Sequence, residues 1–320
     1  GNQRRFPKEL STPNEKGEPV RICQLENPRQ QSLFVLRDLQ SYVKEGGRLE
    51  DTAVLFRTNL EAESMLGALM EFNIPFTMKE RLPNLFEHWI CRNLLDYMEM
   101  AQGDMSRRRF LAVMNRPNRY FSREAVYERT VSLESLRMFY EGKEWMCDRI
   151  DLFETQLKFL RKMKPYAAIN FIRRGIGYEE YLQDYASYRK IKPEELYELL
   201  DRIQESAKGM DSLEQWKSYI EEYGQKLREQ AKLQEHKNTG VTISTLHGVK
   251  GLEYERVYIL NVNEGSIPYK KAVLEEQLEE ERRLFYVGMT RARRDLFLCY
   301  VTWQFEKERE RSRFLEEVEN

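Results

Sequence analysis

The 320-residue chain is poor in the features that mark several large protein classes. Its four cysteines (Cys23, Cys91, Cys147, Cys299) lie far apart with no paired spacing. That pattern argues against a disulfide frame or a cysteine-based zinc site and fits a reducing compartment. No apolar run approaches the roughly 20 residues that cross a bilayer, and the opening "GNQRRFPKEL" has no apolar core for a signal peptide. Net charge is only −1 although 33% of residues are charged, so any footprint for a polyanion must be local. Internal repeats and low-complexity segments are absent. No stretch reads G-x-x-x-x-G-K-[ST], the loop that cradles nucleotide phosphates, and no acidic strand-end pair of the Walker B kind is seen. These absences lead us to expect a soluble, cytoplasmic protein with no membrane partner that begins in mid-protein.

Hydrophobic residues, at 41%, are enough for one large domain or two ordinary ones. The first hundred residues alternate strand and helix. "PVRICQL" (19–25) alternates like a strand, 30–45 has helical spacing ending at Gly46-Gly47, "TAVLFRT" (52–58) is a short β-rich run, 60–72 is helical, and 74–77 looks like another short strand. From 104 to 236 strand signals nearly vanish and amphipathic stretches take over (152–163, 193–207, 213–233). From Val241 strands return in "VTISTL", "RVYILNV" and "DLFLCYV", with a helix through "LEEERRLFYVGMT". The expected fold class is α/β: a parallel-sheet domain in two segments, 1–103 and 237–320, interrupted by an all-helical insertion domain, 104–236.

Chemistry-bearing residues concentrate in two strings. Residues 245–254 read "TLHGVKGLEY" and pack Thr245, His247, Lys250, Gly251 and Glu253 into one strand-to-strand connection. Residues 279–292 read "EEERRLFYVGMTRA". There Glu279, Glu280 and Glu281 fall early in a helix, where they offset its positive end, and Arg291 follows its other end. The strings resemble motifs V and VI of the UvrD/PcrA/Rep family of superfamily 1 DNA helicases. "TAVLFRTN" (52–59) resembles that family's motif IVa, followed by "NIPF" (73–76), and "SRFL" (312–315) fits its close. The strings stand in the family's order, and the helical stretch lies where the family inserts its 2B domain.

The resemblance implies a RecA-like domain 2A carrying a 2B insertion, the C-terminal half of an ATP-dependent 3′→5′ helicase or translocase. ATP and Mg²⁺ would be held mainly by an N-terminal RecA-like lobe of the same protein, and no metal ligands are expected in this chain. Arg291 matches the family's arginine finger, a device worth roughly 10³–10⁵ in rate. Glu253 matches the glutamate at the nucleotide's sugar, since a carboxylate accepts from ribose hydroxyls, and Gly251 permits close backbone approach. Arg57, Asn59, Thr245, His247 and Lys250 match positions along the DNA track. Implied partners are single-stranded DNA and single-strand/duplex junctions, in the bacterial cytoplasm at the nucleoid. Two alternatives are the motor part of an AddA- or RecB-type helicase–nuclease, and a non-enzymatic DNA- or protein-binding module.

Several residues have a plainer reading beside the functional one. Asn59 also suits a cap for the helix after it. Phe56, Tyr254 and Tyr286 are stacking candidates that suit the core equally, Tyr286 most of all. Arg293 and Arg294 read as solvated or near nucleic-acid phosphate, with no catalytic role. Two basic clusters, Arg107–Arg108–Arg109 with Arg116, Arg119, Arg123 and Arg129, and Lys158 with Arg161, Lys162, Lys164, Arg173 and Arg174, could meet phosphate. The family's duplex-contact segment resembles N-x-P-x-R-G-I-G. Here "NRPNRYFS" (115–122) keeps Asn115, Pro117 and Arg119 but replaces the glycine turn, while "RRGIGY" (173–178) suits a helix end.

Overall fold

The computed structural model describes residues 18–80, 84–233 and 240–319; the opening decapeptide and the expected boundary at 236 lie outside them. The chain divides into two compact units, 1–83 with 223–320, and 84–222.

The first unit is a six-stranded, wholly parallel sheet with covered faces. Its strands are β1 (Arg21–Leu25), β2 (Thr52–Phe56), β3 (Phe76–Met78), β4 (Val241–Thr245), β5 (Tyr254–Ile259) and β6 (Ala292–Val301), in spatial order β1-β6-β5-β2-β4-β3. β2, from the first segment, lies between β5 and β4 of the second, so the sheet is complete only when both segments meet. All five β2 residues are buried, as expected for a central parallel strand covered on both faces.

Alternation along the strands sorts the two faces. Tyr258 stacks on Phe297 (ring centroids 4.7 Å apart) beneath helix α1 (Pro28–Lys44), whose Phe34 meets Phe297 edge-on. α1 starts where its sequence directs. Asn27 caps the Gln30 amide at 3.0 Å, Pro28 fills the first helical position, and Gly46 at φ 92° follows the end. Asp38 of α1 accepts from Arg256 at 2.7 Å and from the Tyr258 hydroxyl, while Arg256 also holds the buried Asp295. A second helix, α2 (Glu63–Glu71), packs beside α1. On the opposite face Leu55, Val257, Ile259, Leu296 and Leu298 form a core with Leu246, Phe285 and Phe314.

The second unit is built of helices: α3 (Trp89–Ala101), α4 (Arg107–Val113), α5 (Leu133–Phe139), α6 (Glu144–Leu160), α7 (Pro165–Asn170), α8 (Tyr178–Arg189), α9 (Pro193–Ser206) and the first part of α10 (Leu213–Leu233). It begins at Asn84, ahead of the Asp104 expected, because α3 packs on α4, α6 and α9. The chain then returns to the sheet unit, adding α11 (Glu275–Met289), a short antiparallel pair β7 (Trp303–Gln304) and β8 (Lys307–Glu308), and α12 (Arg313–Glu319). The "SRFL" string is an anchor: Ser312 Oγ accepts from the Phe314 amide at 3.1 Å, and Phe314 and Leu315 are buried in the core.

The basic clusters of the helical unit are partly spent on internal contacts. Arg109 is bonded to Asp96 (2.9 Å) and Asp104 (2.6 Å), and Arg116 to Asn93 at 2.7 Å. Arg119 is buried over the Phe153 ring at 4.6 Å and donates to the carbonyls of Val113 and Met114. Arg173 is equally buried, on Glu179, Asp201 and Gln204. Lys158 pairs with Glu154 and Lys164 with Asp211. A buried guanidinium is costly unless it is hydrogen-bonded, so Arg119 and Arg173 act as internal ties, although Arg119 Nη2 is buried with no hydrogen-bond partner among the described residues. Arg107, Arg108, Arg123, Arg129, Lys158, Arg161, Lys162, Lys164 and Arg174 are exposed. In "RRGIGY", Gly177 adopts φ 91° between a π-turn (Phe171–Gly175) and α8. Among the described residues no helix is long and apolar enough to cross a membrane.

Candidate functional site

At the amino ends of β5 and β6, Tyr254 faces Ala292 in register, and the Tyr254 amide donates to the Arg291 carbonyl at 2.8 Å. α11 delivers Arg291 there, one residue past its cap Thr290. The Arg291 guanidinium donates from Nε to Val287 O (2.9 Å), from Nη1 to Leu252 O (2.9 Å) and from Nη2 to Thr290 Oγ1 (3.0 Å). These acceptors are uncharged. Leu252 is the residue before Glu253, so the guanidinium of Arg291 and the carboxylate of Glu253 share one end of the sheet. Glu253, half exposed, accepts from Arg293 Nε at 3.0 Å, and that contact raises the Arg293 guanidinium above its ordinary pKa. The turn before it needs its glycine: Gly251 has φ +83°, the left-handed region a side chain disfavours.

The carboxyl ends of β2 and β4 gather the other candidates. Phe56 and Thr245 are register partners, and the Leu246 amide donates to Phe56 O at 2.8 Å. Arg57, Asn59, Thr245 and His247 therefore lie at one sheet end, away from Arg291 and Glu253. His247 and Lys250 are exposed. Thr245 is buried, its hydroxyl donating to Glu80 at 2.9 Å and accepting from the Gly248 amide at 3.2 Å. Capping falls to Thr58 rather than Asn59: the Glu61 carboxylate accepts from the Thr58 and Arg57 amides at 3.0 and 3.1 Å. Asn59 Oδ1 is buried and finds no hydrogen-bond partner among the described residues.

Arg57 is not an open cation. Its Nε meets both oxygens of Glu281 (3.1 and 2.8 Å), its Nη2 meets Oε1 at 2.6 Å, and its guanidinium lies 5.0 Å from the Tyr269 ring. The Glu281 carboxylate raises the Arg57 pKa above its ordinary value. Phe56 and Tyr254 are core residues, whereas Tyr286 is 47% exposed, the reverse of the expectation. It falls on the outer side of α11, opposite the buried Glu281, Phe285 and Gly288. Gly288 is small for a reason: an added Cβ would lie 2.4 Å from Leu246 Cδ2, so this glycine lets α11 sit against the 245–254 string.

Residues 2–302 match the model of the UvrD-like helicase C-terminal domain. The chain belongs to that family. Over 319 residues it is 28% identical to DNA helicase II of Haemophilus influenzae, covering 94% of this chain and 44% of that protein. A putative ATP-dependent DNA helicase, YjcD of Bacillus subtilis, is 27% identical over 98% of this chain and 42% of its own length. ATP-dependent DNA helicase PcrA of Staphylococcus aureus is 26% identical over 99% and 46%. The chain spans less than half the length of these curated relatives.

Sequence reasoning missed Glu281, Glu61, Glu80 and Tyr269 as partners within this UvrD-like domain. For Glu281 a signal existed. Glu281, Phe285 and Gly288 follow the spacing of one helix face, which places one acid of the "EEE" run among buried residues. Glu61 had a signal as well, since Thr58 and Glu61 form the T-x-x-E spacing of a capping box; nothing comparable marks Glu80.

Proposed function

We propose that this chain supplies the second motor half of an ATP-dependent 3′→5′ DNA helicase or translocase. The observation that carries the proposal is the neighbourhood of Arg291 and Glu253 at one sheet end. A carboxylate there suits ribose hydroxyls. A guanidinium resting on two carbonyls and a hydroxyl can exchange those neutral acceptors for a phosphate, its stronger partner. Because Arg291 follows α11 and precedes β6, it reaches a nucleotide only as this domain closes on the lobe that holds one, which ties nucleotide state to domain movement. ATP and its Mg²⁺ would supply the scissile phosphate and its charge neutralisation from that other lobe. On this chain Glu253 orients the sugar, Gly251 lets backbone approach, and Arg291 meets charge developing on the phosphate. At the other sheet end Arg57, Asn59, Thr245 and His247, with the exposed Lys250 of the following turn, would face a single strand or a junction.

The test is turnover. The 320-residue chain with Mg·ATP and single-stranded DNA should not hydrolyse ATP. The longer polypeptide carrying a phosphate loop should do so when DNA is added, and should move 3′→5′. Substantial turnover by this chain alone would overturn the proposal.

A further inference from the structure

Arg57 and Glu281 are separated by most of the chain, yet form a close charge pair at the carboxyl end of the sheet, 2.6 Å apart. The Glu281 side chain is 8% exposed and that of Arg57 16%. Glu281 does a second task, since its Oε2 accepts from the Tyr269 amide at 3.0 Å. It thus fastens the early part of α11 to the end of β2 and to the loop at Tyr269. Farther along, the same helix is pressed to Leu246 at Gly288 and leads into Arg291. One strut therefore connects the end of β2, where a strand of nucleic acid is proposed to lie, with the helix that carries the proposed finger.

Carboxylate and phosphate are rival partners for a guanidinium, because both accept its paired N–H groups. We propose that Glu281 competes with nucleic-acid phosphate for Arg57: the acid holds Arg57 while no strand is bound, and a phosphate engaging Arg57 displaces it, loosening the early turns of α11. Glu281 is then a positioning residue, acting on DNA through Arg57 and on the finger through α11. The inference rests on the proposed function, in that it takes the carboxyl ends of β2 and β4 to face DNA.

The experiment titrates the 320-residue chain with a fluorescent oligothymidylate of about 15 nucleotides, the upper range of single-strand site sizes, over a series of KCl concentrations. Glu281→Gln removes the rival charge at nearly constant shape. It should bind about threefold more tightly at low salt and steepen the plot of log K against log[KCl] by about 0.7, the signature of one more phosphate contact on a single strand. Glu281→Asp, which keeps the charge but shortens the arm, should shift both readouts in the same direction and serves if Glu281→Gln does not fold. Arg57→Gln added to either variant should abolish the gain. A merely structural acid would alter stability without steepening the salt slope. In the wild type, oligonucleotide should speed amide exchange across the first turns of α11, and unchanged exchange would overturn the coupling. If the wild type binds DNA and the folded Glu281 variants show an unchanged slope, the competition is refuted while the helicase proposal stands. If neither wild type nor variants bind at low salt, both fall.

Discussion

The two ends of the sheet each present an arginine, held in opposite ways. Arg57, at the carboxyl end, is locked on a buried carboxylate. Arg291, at the amino end, rests on two carbonyls and a hydroxyl. A guanidinium paired with a carboxylate gives up a charge partner when it turns to a phosphate, whereas one on neutral acceptors gives up less. The contrast teaches that an arginine's position in a motif does not determine its availability; what holds it does. Arg291 is held only by neutral groups, and Arg57 is first a structural tie.

Replacing each arginine by alanine tests that contrast, and the largest effect is expected at the amino end. In the longer polypeptide with a phosphate loop, Arg291→Ala should lower DNA-stimulated ATP turnover by roughly 10³–10⁵, the worth of an arginine finger. Affinity for single-stranded DNA and the melting midpoint should hardly change, since the substitution leaves no charged partner behind, only two carbonyls and a hydroxyl. Steady-state hydrolysis at saturating oligonucleotide decides the matter, and unchanged turnover would remove Arg291 from the proposed mechanism.

At the carboxyl end the same substitution should act on stability instead. Arg57→Ala strands the Glu281 carboxylate where it is 8% exposed. Breaking a buried pair from one side costs about 3 kcal/mol. Urea unfolding of the 320-residue chain should show that loss, and a negligible change would mean that Glu281 finds water and that the two ends differ less than their geometry implies.

A third substitution probes how α11 links the ends. Gly288→Ala would push a methyl group against Leu246 and Ile259, both buried. Overpacking of this kind costs about 1–3 kcal/mol, read as a lower unfolding midpoint. A neutral result would show that α11 slides freely over the 245–254 string.

How much of this was legible beforehand differs by level. The strands and their interruption were readable because buried parallel strands such as "TAVLF" are continuous apolar runs, and because the helical stretch has its own periodicity. The recognised strings pointed to Arg291 and Glu253, which the fold brings to one end of the sheet. Sequence could not tell which charges are spent internally. Arg119 and Arg173 read as phosphate contacts until burial placed them among carbonyls, carboxylates and rings. The Arg57–Glu281 pair joins residues far apart in the chain, which no local spacing reveals. Tyr286 resembles core because it stands between the apolar Phe285 and Val287, yet the helix turns it to the outer side.

The smallest expected effect completes the comparison at the amino end. Arg293 pairs with Glu253 at 3.0 Å, but both side chains are about half exposed, 52% and 49%. Water and salt screen such a pair, and holding two long side chains together offsets what attraction is left. Arg293→Ala should therefore leave the melting midpoint unchanged within error, in contrast to Arg57→Ala. In the longer polypeptide it should also leave KM for ATP unchanged or slightly lower, because Glu253 would then meet ribose hydroxyls without a competing cation. A clear rise in KM would mean that Arg293 holds Glu253 in the orientation the sugar requires. Arg293 would then be a positioning residue, and an exposed ion pair at this end would matter as much to nucleotide binding as the buried pair at the other end matters to stability.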